Sequence, residues 1–210
     1  MVDRGWSHRA HRCKRPLFQF SAGPAIRQAR RGLFHARWTD AIHDEWIRTL
    51  LRNRPDLPQD RLLVLRELMD GAVPDCLVIG YEHRIEALTL PDPNDRHVLA
   101  AAIECGADTI VTWNRRDFPE LVLQSLGIRQ QDPDAFLVEL HEAAPGLAVR
   151  AVREHRAALH RPAYSPEAYL QRLRNEQFHR FAERLQSSGG VWSTRTACSG
   201  RQRRAHSAAC

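Results

Sequence analysis

The chain has 210 residues, 43% hydrophobic and 27% charged, which allows one domain with a small appendage and leaves no room for a second full-sized catalytic domain. Its longest apolar run, Val98 to Ile103, is far below the roughly 20 residues that cross a bilayer, and no apolar stretch follows the basic start as a secretory leader requires, so membrane insertion and secretion are not expected. Five scattered cysteines without a CxxC pair or zinc spacing predict a reduced, cytoplasmic protein, and the formal charge of +6 reads either as a polyanionic partner or as codon bias, Lys14 being the only lysine.

Residues 1–28 mix basic and small residues with no helical or alternating period, so no element is predicted there. Order begins near Arg30. A short strand is expected over Ala36–Thr39, then a helix capped by Asp40 with Ile42, Trp46 and Leu50 on one face, closed by Pro55. A second helix is expected over Gln59–Met69, ended by Gly71 and Pro74, and a buried strand over Cys76–Ile79. In LPDPNDRHVLAAAIECGADTIVTWNRRDFP, Asp92 and Pro93 open a helix whose Val98, Leu99, Ala102 and Ile103 face a core until Gly106. Thr109–Thr112 follows as a buried strand, with another near Gly127–Arg129. Helices alternating with short β-branched strands predict an α/β fold with a parallel sheet. From Pro133 to Gln186 only helices are predicted, at Asp134–Glu142, Leu147–Leu159, Pro166–Arg174 and Glu176–Leu185, and the remainder reads as a tail. The expected divisions are 1–28, 29–131, 132–186 and 187–210.

The acids that suggest chemistry are Glu45, Asp92, Asp95 and Asp117. Ligands of open α/β sheets bind beyond the carboxyl ends of strands, so Asp117 and the helix start at Asp95 are expected to meet at one rim. Grouped carboxylates suit Mg²⁺ or Mn²⁺, hard cations that prefer oxygen. Asp92 is read first as a helix cap. Asp95 leans toward the core edge, a poor place for a merely solvated charge, and Glu45 either abuts the core beside Trp46 or belongs to an exposed Asp44–Glu45 pair. Asn114, His97 and His43 are read as capping, loop or surface groups. Arg115 and Arg116 either hold phosphates or form a solvated loop pair.

The segments LPDPNDRHVLAAAIECGADTIVTWNRRDFP and TDAIHDEWIRTLLRNRP resemble the PIN domain family, in the branch of VapC-type toxin ribonucleases, over about Leu33 to Gln131. The helices that follow resemble the C-terminal extension of that branch. The resemblance implies a PIN-like three-layer α/β/α sandwich and a Mg²⁺- or Mn²⁺-dependent endoribonuclease. Glu45, Asp95 and Asp117 would be its catalytic and metal-holding acids. It also implies RNA as substrate and a cognate antitoxin protein as partner, with a homodimer left open. Asn114 stands where many members have Asp.

Family members begin with a strand ending in Asp, as in DANVLY, and this sequence has no such motif. Read one base later, however, the degenerate codons for His11 through Phe20 permit Ile-Asp-Ala-Asn-Val-Leu-Tyr-Ser-Ser, the Asp arising from the Arg12 codon. A shifted reading frame is the expectation, extended to the tail after Gln186. Burying Arg12, Lys14 and Arg15 unpaired would cost several kcal/mol each, so residues 1 to about 25 are expected to stay out of the sheet, with stability and nuclease activity impaired. The alternative function is a catalytically inactive PIN-like module that binds an antitoxin or RNA.

Overall fold

The computed structural model describes residues 16–18, 23–159 and 163–188. Three strands, β1 (Pro16–Phe18), β2 (Thr109–Val111) and β3 (Arg129–Gln131), form a parallel sheet in the order β1-β2-β3. Leu17 lies opposite Ile110, and Ile110 opposite Gln130. On the other side of β1, Leu17 is bridged in parallel to Arg37, and Trp38 to Leu77. Among the described residues the sheet therefore has five parallel lanes, and in chain order their spatial sequence is third, second, first, fourth, fifth. Strand order reverses between β1 and β2, the place where open α/β sheets leave a crevice beyond the strand ends.

The expectation that residues 1 to about 25 remain outside the sheet fails at β1. The inserted strand starts just after Arg15 and presents Leu17 and Phe18, both buried, so it brings no cation into the core. Arg12, Lys14 and Arg15 lie outside the described residues, as does the tail from 189. Nor is the segment before Arg30 without a helix: α1 (Gly23–Ala29) buries Ala25 and Ala29. Gln28 of α1 is also buried, and neither end of its amide has a hydrogen-bond partner among the described residues.

Helix α2 (Asp40–Asn53) is capped by Thr39 rather than Asp40, the Thr39 hydroxyl accepting from the Ile42 amide at 3.1 Å. Helix α3 (Gln59–Ala72) runs through Gly71. The strands expected at Ala36–Thr39 and Cys76–Ile79 shrink to the bridges at Arg37, Trp38 and Leu77, and the one expected near Gly127 lies two residues later. Helix α4 (Arg96–Glu104) buries Val98 through Ala102 beside the sheet, and α5 (Glu120–Ser125) precedes β3.

The trailing helices are α6 (Pro133–Ala143), α7 (Pro145–Ala158), α8 (Pro166–Asn175) and α9 (His179–Ser187). They share the core of the sheet rather than forming their own. Phe136 of α6 meets Phe18 and Phe34 edge-on, with ring centroids 5.6 and 5.0 Å apart, and α7 packs along α1. Asp134 of α6 caps α9 from outside, accepting the backbone N–H of Arg180 at 2.9 Å and of Phe181 at 2.8 Å. Among the described residues no helix is long and apolar enough to cross a membrane.

Candidate metal centre

Beyond the carboxyl end of β2 the chain makes a tight turn, Arg115–Asp117, while the turn Pro93–Asp95 leads into α4. These turns bring Asp92, Asp95 and Asp117 together, with one oxygen of each lying within 4.8 Å of the others. Asn114 ties two of them, its side-chain N–H donating to Asp95 Oδ2 at 3.2 Å and to Asp117 Oδ2. Asp92 caps the Pro93 turn, accepting the Asn94 amide at 2.8 Å, and contributes to the acidic group as well. Reading it as a cap captured half of its placement.

Glu45 of α2 lies outside that group of three but lines the same cleft, of about 740 Å³, as Asp92 and Asp95. Burial, opposed by His97 and reinforced by Asp95, raises the Glu45 pKa above the ordinary carboxylate value. His97 is no loop bystander. Its Nδ1 lies 2.7 Å from the Asn94 carbonyl, which can only accept, so Nδ1 carries the proton and Nε2 faces Glu45 Oε1 at 3.5 Å. A proton on either group makes that contact favourable.

His43, read from the sequence as a capping, loop or surface group, is fully buried between two tryptophans. Trp46 Nε1–H donates to its Nδ1 at 2.8 Å, so its Nε2–H donates to Asp70 Oδ1 at 2.9 Å, an oxygen that also accepts Trp38 Nε1–H at 2.7 Å. This chain of bonds ties α2 to α3 and to the second lane of the sheet. It thereby fixes the helix that carries Glu45.

Arg115 and Arg116 are exposed on the Asp117 turn, Arg115 bonding Gln130 at 3.3 Å, and neither lines the cleft. Arg48 and Arg52 of α2 line it instead. They follow Glu45 by three and seven positions, which places all three on one helical face, a spacing visible in the sequence.

Residues 133–187 match the family model described as the VapC50 C-terminal domain, and residues 15–116 match the PIN domain model. The chain belongs to the PIN domain family. The PIN match begins one residue before β1 and ends in the turn carrying Asp117, so it spans four of the five lanes and most of the acidic rim. One curated relative, "Putative ribonuclease VapC50" of Mycobacterium tuberculosis, is 35% identical over 115 residues, which cover 52% of this chain and 66% of that protein. No solved structure matches.

Within this PIN domain the donors suit a divalent metal. All are carboxylate oxygens, they crowd like charges into one rim, and a hard cation with several oxygen ligands offsets that repulsion. The first-strand acid of the family has no counterpart, since the sequence holds no acidic residue between Asp3 and Asp40.

Proposed function

We propose that this PIN domain protein is a metal-dependent endoribonuclease, the toxin of a toxin–antitoxin pair acting in the cytoplasm. The observation that carries the reading is the trio of carboxylates gathered at the rim where the strand order reverses. The relative's name supports ribonuclease chemistry. Asp95 and Asp117, with Glu45 and Asp92 beside them, would hold Mg²⁺ or Mn²⁺. Such an ion, when bound, neutralises charge on the attacked phosphodiester and makes water a better nucleophile. Asn114 keeps Asp95 and Asp117 aimed at one point by donating to both. Glu45, whose Oε1 lies 3.5 Å from His97 Nε2, would take up or release a proton there. Arg48 and Arg52, rather than Arg115 and Arg116, face the cleft for RNA phosphates. An antitoxin or a second copy of the chain finds an apolar surface on α3, where Leu63, Val64 and Leu68 are exposed.

The test is cleavage of single-stranded RNA by the full chain with Mg²⁺ or Mn²⁺, repeated in EDTA and with Asp95→Asn. Loss of cleavage in both supports the reading, and cleavage unchanged in either one refutes it. The absence of any acid from 4 to 39 favours a second reading, an inactive module that still binds RNA or antitoxin. Binding without cleavage, followed by cleavage once the Asp-bearing frame is restored, would establish that reading.

A further inference from the structure

Trp113 stands two residues beyond the end of β2, between Thr112, which is buried, and Asn114, which bonds Asp95 and Asp117. The residue is 39% exposed although the adjoining strand is buried, and it lines the same cleft as Glu45, Asp92 and Asp95. Arg48 and Arg52 of α2 line that cleft as well. The indole does not hang free. It rests on Phe178, a buried residue of the trailing helices, with ring centroids 5.6 Å apart and planes inclined by 60°.

Phe178 is itself held by the turn between α8 and α9. Its N–H bonds the Leu173 carbonyl at 2.9 Å, and its carbonyl accepts the Ala182 N–H at 3.1 Å. Gln177 reaches this geometry in the left-handed region, at φ 69°, an uncommon place for a residue with a side chain. The C-terminal helices thus buttress an aromatic ring at the edge of the metal-binding rim.

A partly exposed aromatic residue backed by a buried ring, in a cleft that arginines also line, is an arrangement by which proteins bind single-stranded nucleic acid. Bases stack on the ring while guanidinium groups follow the phosphates. We propose that Trp113, backed by Phe178, is the stacking platform for an unpaired base of the RNA substrate, beside the phosphodiester held at Asp95 and Asp117. This rests on the ribonuclease reading and adds a positioning residue to it. The platform reads the presence of an unpaired base, not its hydrogen-bonding edge, so it selects single strands over duplexes.

The test uses the full chain and short fluorescein-labelled single-stranded oligoribonucleotides. Each carries one abasic nucleotide at a different position, which removes a base and keeps its phosphate. Binding is measured by anisotropy with Ca²⁺ in place of Mg²⁺. One abasic position should weaken binding by about 5- to 150-fold in the unmodified protein. Trp113→Ala should bind intact RNA that much more weakly and no longer sense the abasic site, whereas Trp113→Phe should keep most of both effects. The abasic series on the unmodified chain needs no variant to fold. RNA binding with no sensitive position, or a sensitive position unaltered by Trp113→Ala, overturns the platform and leaves the ribonuclease reading standing. Failure of the unmodified chain to bind any of the oligonucleotides overturns both.

Discussion

His155 makes the stability of the trailing helices depend on pH. It lies in α7, half-buried against Tyr169 of α8, with Nδ1 2.7 Å from the Tyr169 hydroxyl. Burial, and then the positive charges of Arg172 and Arg27, lower its pKa from the usual 6.5 to about 4. The native state therefore keeps His155 neutral while the unfolded chain takes up a proton as pH falls through 6.5. Stability from this residue is at its maximum above that value, declines as pH falls, and levels off below about 4. At about 1.4 kcal/mol per pH unit, lowering the pH from about 8 to about 5 removes about 2 kcal/mol. His155→Gln cannot titrate and can still bond the Tyr169 hydroxyl. Urea unfolding of both proteins across that range isolates the effect, because the other titrating groups cancel in the difference. Unmodified protein should lose about 2 kcal/mol more than the variant. Parallel pH dependences would refute the reasoning.

Gln28→Met should raise stability by about 1 kcal/mol or more in thermal unfolding, since an unmet buried amide costs about 1–3 kcal/mol. Asp134→Ala removes a buried carboxylate that accepts from Arg180 and Phe181, and should destabilise the chain by about 2 kcal/mol or more, seen as a lower urea midpoint. Gln177→Gly relieves the left-handed backbone at φ 69° and should stabilise by about 0.5–1 kcal/mol, a rise in Tm that leaves the near-ultraviolet signal of Trp113 unchanged.

Helices other than α1 and α5 were legible because each carries its own period and punctuation, as with Pro133 and Pro166 at helix starts and Gly106 after α4. Asp95 and Asp117 were legible as rim residues because both sit where an element turns at the end of the sheet. Strand β1 was not, since three apolar residues flanked by basic and small ones leave no alternation to read, and its place is decided by Ile110 and Arg37 far along the chain. His43 resembles any polar residue on a helix until Asp70 and Trp38 arrive from two other elements. Trp113 has the same history, because Phe178 comes from a helix pair that the sequence presents as a separate annex.

The order of lanes across the sheet also sets a timetable for synthesis. The middle lane is made first, and its neighbour β2 follows roughly ninety residues later. Until then Leu17 has no partner on that edge, and the acids around Asp95 have no Asp117 beside them. Helix α1 waits longer still, for α7, and the wall behind Trp113 is completed only when Phe178 has left the ribosome. Pairings this distant in sequence form slowly, because a long loop must close before any contact rewards it. The acidic rim is therefore among the last surfaces to be finished, since both Asp117 and the Phe178 wall behind Trp113 come late in the chain.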